Sequence, residues 1–247
     1  MKNHPVRAPR FHVEAPLRAG TSCVLPEDAA HHALRVLRVR SGDEITLFDG
    51  RGGEYAARVV AIERLRIAAD VLEHRPVERE SPLRAVLVQG VSSGERMDFT
   101  IRKAVELGVA EIRPVLAAAT VARPRGERVV ARHAHWQKVA IAACEQCGRN
   151  RIPAVHAPVP VAEYRQGDAG LKILLSPRSE LAFSQACKAI SAAVTLAAGP
   201  EAGFSAAEEA AFLDAGFVPA RLGPRVLRTE TAALAALAAL NALRGDF

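Results

Sequence analysis

No apolar run in this 247-residue sequence is long enough to span a bilayer. The longest, Ala232 to Leu243, contains Asn241 and falls short of the roughly 20 residues a spanning helix needs. Met1-Lys2-Asn3-His4-Pro5 leads into no apolar stretch, which argues against a secretory signal. The four cysteines are not expected to form a disulfide framework, since a chain of this length builds a core without staples. A reduced, cytoplasmic protein is the expectation. Phosphate fingerprints are absent too: no G-x-G-x-x-G follows a strand, and there is no G-x-x-x-x-G-K-[ST], which weakens dinucleotide-oxidoreductase and ATPase readings. Cys144-Glu145-Gln146-Cys147 has the spacing of a redox or metal pair, but neither Cys23 nor Cys187 has a paired neighbour. The pair also falls in the last turn of a helix, where the dipole disfavours a thiolate. His31-His32 and His133-x-His135 have no carboxylate or cysteine partner nearby, so no metal site is expected.

What the chain does have is an ordinary globular composition, 49% hydrophobic and 24% charged, with a net charge of +6. Residues 1–80 hold 13 Lys+Arg against 12 Asp+Glu, whereas residues 113–151 hold 8 against 2. A local basic field of that kind attracts a phosphate backbone; a solvated helix face in an Arg-rich sequence is the alternative.

Two regions differ in pattern. In the first, Pro26-Glu27-Asp28 opens a helix with Ala30, Leu34 and Leu37 on one face. Glu44–Phe48 and Tyr55–Val60 read as strands joined through Asp49-Gly50-Arg51-Gly52-Gly53, and a third strand covers Leu65–Leu72. Residues 1–75 therefore read as a small β-barrel, and the polar, proline-containing stretch 76–82 as a linker. Residues 83–247 alternate strand and helix. Strands are expected at Arg84–Val91, Ile112–Leu116, Lys172–Leu175 and Ala193–Ala198. Helices are expected from Met97 to Gly108, from Arg125 to Cys147, from Glu180 to Ile190, after Ser205 and from Thr229. Ser92 with Glu95, and Ser205 with Glu208, fit capping boxes. The fold class is α/β with a mainly parallel sheet.

In such a sheet ligands sit at the carboxyl ends of the strands. Gly199-Pro200-Glu201-Ala202-Gly203 follows a buried strand and precedes a capped helix, and glycines there permit close backbone approach. From this loop alone a tight turn without a ligand fits slightly better. Leu222-Gly223-Pro224-Arg225-Val226-Leu227-Arg228-Thr229-Glu230-Thr231 tips the balance to a binding site, because Arg225, Arg228, Thr229 and Glu230 crowd the start of the last helix.

With these residues the sequence resembles the bacterial 16S rRNA uridine N3-methyltransferases, the RsmE family of the SPOUT class. The matching blocks are Arg96-Met97-Asp98, Lys103 to Val109, Trp136-Gln137-Lys138, Ala143 to Arg149, Gly199 to Ser205 and Leu222 to Ala232, with His32, Val36-Leu37-Arg38 and Phe48-Asp49-Gly50 upstream. Together they cover almost the whole chain. The resemblance implies a PUA-like barrel followed by a SPOUT domain with a C-terminal trefoil knot, in a homodimer acting on 16S rRNA or the small ribosomal subunit, with no membrane. It implies an S-adenosylmethionine site formed by Leu175, Ser176, Gly199, Pro200, Glu201, Gly203, Leu222, Gly223, Leu227, Arg228, Thr229 and Thr231. It further implies RNA contacts by Arg38, Arg123, Arg125, Arg149 and Arg151. Three departures from the family pattern stand at Ser93, at Ala117-Ala118-Ala119 and at Ala202, where glycine is usual and a positive φ would impose strain.

Methylating uracil N3 requires loss of its proton and an in-line approach to the methyl donor. Arg228 or Arg225 would support the developing anion, and Glu230 or Glu201 would orient the site or accept the proton. N3 lies on the pairing edge, so the target uridine has to be unpaired or flipped. A SPOUT enzyme acting on another RNA, or a non-catalytic ribosome-assembly factor, are the alternatives.

Overall fold

The computed structural model describes residues 8–120, 123, 126–165 and 170–247. These fall into two compact units: the described residues up to Glu80 together with Cys144–Ile152, and Ser81–Ala143 together with Pro153–Phe247.

The first unit is a five-stranded sheet. Its strands are β1 (Arg10–His12), β2 (Ser22–Val24), β3 (Glu44–Phe48), β4 (Glu54–Glu63) and β5 (Arg66–Arg75), in the order β1-β3-β4-β5-β2. Only β1 runs parallel to its neighbour. The β3–β4 hairpin is as expected, with Gly50, Gly52 and Gly53 all at positive φ in its loop. Alternation along β3 and β5 sends Ile45, Leu47, Ile67, Ala69 and Val71 into a core shared with Phe11. Helix α1 (Glu27–Arg35) adds Ala30 and Ala33 to that core. Leu37, expected on its buried face, lies beyond the helix and is 43% exposed; Val39 takes the inward position.

A network of charged groups holds this unit's distant segments together. Arg10, whose side chain is 4% exposed, bonds Glu54 at 2.5 Å and the Asn150 carboxamide oxygen at 2.6 Å. Arg79 donates to the same Glu54 oxygen (3.0 Å) and to the Gly148 carbonyl (2.9 Å). Arg149 forms a two-point pair with Glu80, at 3.0 and 2.5 Å. The segment Val77–Glu80 has no regular secondary structure but is strapped down by these bonds and by the Asn150 amide on the Val77 carbonyl (2.6 Å).

The second unit is built on a parallel sheet. Its strands are β6 (Arg84–Gly90), β7 (Glu111–Leu116), β8 (Ala154–Val155), β9 (Val159–Pro160), β10 (Leu171–Leu175), β11 (Ala193–Ala198) and β12 (Val218–Ala220). The order is β12-β10-β11-β6-β7-β8, with β9 also on β7, and every pairing is parallel. β6 is central and almost wholly buried. The chain builds outward from it through β7, then crosses to its other side, so the strand order reverses between β6 and β11. A crevice for ligands is expected at the carboxyl ends of those two strands.

Helix α2 (Gly94–Glu106) packs Met97, Ile101, Ala104 and Val105 inward and ends before Gly108 at φ +77°. Helix α3 (Glu127–Cys147) buries Trp136 and Ala140 and precedes Gly148 at φ +91°. The helix expected over Glu180–Ile190 is shorter: one turn, α4 (Phe183–Ala186), runs into a 3-10 turn. Helix α5 (Ala206–Asp214) opens with the expected reciprocal box between Ser205 and Glu208. Helix α6 (Thr229–Arg244) buries Ala233, Ala236, Leu237 and Leu240. Val88, Val115, Leu174 and Ala197 form a further apolar cluster with Phe204, Phe212 and Phe217.

The box expected at Ser92 and Glu95 does not form. The N-cap is Ser93, without a side-chain bond, and its amide is taken by the Glu201 carboxylate at 3.0 Å. A charged acceptor from elsewhere in the fold has displaced the local one.

Candidate functional site

A cavity of about 420 Å³ opens at the carboxyl ends of β10 and β11. Its floor is Leu175, Ala198 and Gly199, and its walls are the loop Pro200–Gly203 and the segment Val226–Glu230 that leads into α6. The first wall is a tight turn closed by Gly203 N–H on the Pro200 carbonyl (2.8 Å), with Gly203 at φ +75°. Ala202 carries no positive φ, so the strain that alanine would suffer there does not arise. Gly90, at the end of β6, lies so close behind this wall that a Cβ would meet the Pro200 ring, and the Gly199 carbonyl carbon at 2.8 Å. The second wall is fixed through Thr229, whose hydroxyl donates to the Gly199 carbonyl at 2.5 Å.

Nine of the residues expected at the site meet in this cavity: Leu175, Gly199, Pro200, Glu201, Gly203, Leu227, Arg228, Thr229 and Glu230. Five others do not line it. Ser176 is buried just past β10 and spends its amide on the Ala220 carbonyl (3.0 Å). Leu222 and Gly223 lie earlier in the loop, Gly223 at φ +78°, and Thr231 and Arg225 are exposed. Arg96, Pro177, Ala198, Ala202, Val226 and Ala232 also line the cavity. Of these only Arg96 carries a charge, and its position in the first turn after the central strand was the signal available for it.

The two glutamates differ. Glu201 accepts from the Ser93 amide (3.0 Å) and from Arg96 (3.1 Å). Partial burial alone would raise its pKa, but those donors outweigh it and hold the carboxyl below its usual range. Glu230, in the first turn of α6, has a buried Oε2 with no hydrogen-bond partner. A cavity of this size, lined by apolar groups and backbone together with the charged side chains of Arg96, Glu201, Arg228 and Glu230, suits a small amphipathic ligand.

The basic residues expected to meet RNA belong to both units. Arg38 is exposed and adopts φ +56°. Arg123 donates to the Ala117 carbonyl at 2.9 Å, and Arg151 pairs with Glu78 at 3.3 Å while its side chain stays 57% exposed. Arg125 lies outside the described residues. Arg149 is a correction: it is 4% exposed and committed to Glu80, so it is an internal strut rather than a surface cation. At the Ala117–Ala119 departure the Ala118 main-chain amide donates to Glu208 at 2.6 Å; the alanine side chains there have no structural explanation. Cys144 is buried, its thiol pushed up to about 12 chiefly by desolvation, as befits an inert core residue. His135, expected to lack a carboxylate partner, has one in Asp98 at 2.8 Å. Among the described residues no cluster of three metal-ligating side chains occurs, and no helix is long and apolar enough to cross a membrane.

Comparison with known proteins agrees with this architecture. Residues 79–241 match the model of an RNA methyltransferase domain, and residues 25–72 that of an RNA methyltransferase PUA domain. The chain is 32% identical over 243 residues to the ribosomal RNA small subunit methyltransferase E of Buchnera aphidicola, covering 98% of this chain and 96% of that one. It superposes on the ribosomal RNA small subunit methyltransferase E of Neisseria gonorrhoeae bound to S-adenosyl methionine, with a TM-score of 0.89 and 40% identity over 98% of this chain and all of that one. A putative methyltransferase from Legionella pneumophila, also holding that cofactor, gives a TM-score of 0.90 and 36% identity over the same shares. An N-terminal PUA-like unit, a parallel-sheet α/β unit and near full-length similarity place this chain in the ribosomal RNA small subunit methyltransferase E family.

Proposed function

We propose that this protein transfers a methyl group from S-adenosylmethionine to N3 of a uridine in 16S rRNA of the small ribosomal subunit, in the cytoplasm. The observation that carries the reading is the cavity at the carboxyl ends of β10 and β11, on a chain similar end to end to a relative solved with that cofactor. When bound, the cofactor supplies the methyl group on a sulfonium. Gly199 to Gly203 on one side, and Leu227 to Thr229 on the other, would hold it against Leu175.

The remaining work falls to the chain. Arg228, at the cavity edge as the N-cap of α6, stabilises the uracil anion as N3 loses its proton. Glu230 is the better proton acceptor, because its Oε2 is unclaimed while Glu201 is tied to Ser93 and Arg96. Glu201 then acts by holding the Pro200–Gly203 wall against α2. Arg225 is an exposed cation on the same loop, suited to the RNA backbone. Arg38, Arg123 and Arg151 add phosphate contacts, which position RNA without reading it.

The fold inference extends to a knot. The chain from β12 returns past the 176–183 loop, bonded to it by Arg221 N–H on Leu181 O (2.9 Å) and Phe183 N–H on Arg221 O (2.9 Å), before α6 reaches Gly199. Passage of that last segment through the loop would make the trefoil. A homodimer is part of the same proposal, checked by light scattering.

The test is methyl transfer to small-subunit particles, with the product mapped by mass spectrometry. Arg228→Ala and Glu230→Gln are expected to lose about a hundredfold or more in kcat, and Glu201→Gln to lose less. Wild-type turnover in the first two would remove their roles, and product at a position other than uridine N3 would remove the assigned reaction.

A further inference from the structure

Gln89 is fully buried at the penultimate position of β6, paired across to Ala198 on β11 and Pro114 on β7. An apolar side chain is the usual occupant of such a place, because a buried carboxamide costs free energy unless its groups are bonded. Gln89 is only partly compensated. Its Nε2 donates to the Thr229 hydroxyl at 2.9 Å and to the Gly90 carbonyl at 3.1 Å, while Oε1 has no partner.

The orientation of the carboxamide follows from its neighbours. The Gly199 carbonyl can only accept, so the one proton of the Thr229 hydroxyl goes to it, at 2.5 Å. The hydroxyl oxygen must then receive a proton from Gln89, which fixes the NH2 group toward it. The result is a directed chain, Gln89 to Thr229 to Gly199. Gly199 lies in the cavity floor where the first wall begins and Thr229 in the second wall, and Gln89 is not among the lining residues.

We infer that Gln89 is a positioning residue for the methyl-donor site, acting from behind through Thr229 to fix the Gly199 loop against the start of α6. This rests on the donor site proposed above. Binding is expected to benefit because the two walls are set before the donor arrives, which removes an ordering cost from association. Gly90 reinforces the arrangement, since its missing Cβ is what lets Pro200 sit against β6.

Calorimetry with S-adenosylmethionine on the full-length protein tests it. Gln89→Met and Thr229→Val are each expected to weaken the donor roughly tenfold, about the worth of one broken hydrogen-bond link. Thr229→Ser, which keeps the hydroxyl, recovers most of the Thr229→Val loss. The double variant Gln89→Met/Thr229→Val is expected to be no more than about twofold weaker than either single one, because both break one chain. In turnover the KM for the donor rises while the KM for RNA holds. Additive losses that follow the fall in melting temperature, with no recovery by Thr229→Ser, would mean a structural role only and overturn the inference. Full donor affinity in both single variants would overturn it as well. Should Gln89→Met fail to fold, Gln89→Leu takes its place beside the Thr229→Val and Thr229→Ser pair, with the same outcomes. Absence of binding by the wild-type protein would instead overturn the donor site itself, a result these variants do not mimic.

Discussion

The two units treat buried polarity in opposite ways. In the first, the interior holds full charges: Arg10 and Arg149 have side chains 4% and 5% exposed and bind Glu54 and Glu80. In the second, the polar residues buried as a whole are neutral, Gln89, Thr229, Ser176 and Asn241 among them, while half-buried Glu230 has one buried carboxylate oxygen. Its site charges, Arg96, Glu201 and Arg228, stand at the cavity edge. A buried ion pair tolerates one arrangement only, because losing a partner strands a charge in a poor solvent. That suits a network joining β1, β4, the 77–80 strap and the turn after α3, all of which must hold still. A ligand pocket is alternately filled and empty, and a neutral dipole left partly unpaired, as at Gln89 Oε1, costs far less in either state than a stranded charge.

The largest effect is expected from Glu54→Ala. This one carboxylate serves Arg10 and Arg79, and its removal should destabilise the first unit by roughly 3–5 kcal/mol. Trp136, the single tryptophan, lies in the second unit, so its fluorescence and the far-ultraviolet dichroism report different regions during urea unfolding. The dichroism transition should split and its early part move to lower urea while the tryptophan transition holds. A shift of both together would erase the contrast. Acid should reveal the same group. Burial raises the Glu54 pKa, but bonds from Arg79 and Arg10 outweigh it and leave the carboxyl below its usual range. The unfolded chain then binds the extra proton, so stability from this group is present above the ordinary carboxylate pKa of about 4.3 and is lost as pH falls through the depressed value. Glu54→Gln should flatten that limb.

Gly90→Ala is expected to come next, at about 1–3 kcal/mol for the overpacked methyl. Here the tryptophan transition should move and donor binding weaken, because the methyl pushes on Pro200 and Gly199. Normal donor affinity in a destabilised variant would show that the wall yields without closing the cavity.

The same local signal was legible in one place and misleading in another. Ser205 and Glu208 form their capping box, with Ser205 N–H on Glu208 at 2.9 Å. Ser92 and Glu95 match it in sequence, yet Glu201, 108 residues from Ser93, takes that helix start instead. Strand and helix alternation was readable because periodicity is local, and so were the two cavity loops, which lie at strand ends. The three-residue strands β1 and β2 were not, being too short to show a period. Charge count along 113–151 suggested an open basic field, but Arg113 pairs with Glu111 and Arg149 with Glu80. Pairing across the fold is invisible to a count, and so was Gln89, one polar residue within a buried strand.

The smallest effect on stability should come from Arg38→Gly. Arg38 has φ +56° just past α1, where the Val39 amide reaches back to the Ala33 carbonyl at 3.0 Å. Arg38 stands two residues past the C-cap Val36 in the left-handed conformation that glycine adopts freely and that costs a side chain about 1 kcal/mol. Glycine removes the strain but loosens the unfolded chain, so a gain of at most about 1 kcal/mol is expected. RNA binding should separate two explanations for keeping arginine there. If the exposed guanidinium meets a phosphate, Arg38→Gly weakens RNA uniformly and lowers the salt slope by about one, and Arg38→Lys restores most of both. If RNA affinity does not change while stability rises, Arg38 marks only a helix end, and the phosphate contacts of the first unit lie elsewhere on its surface.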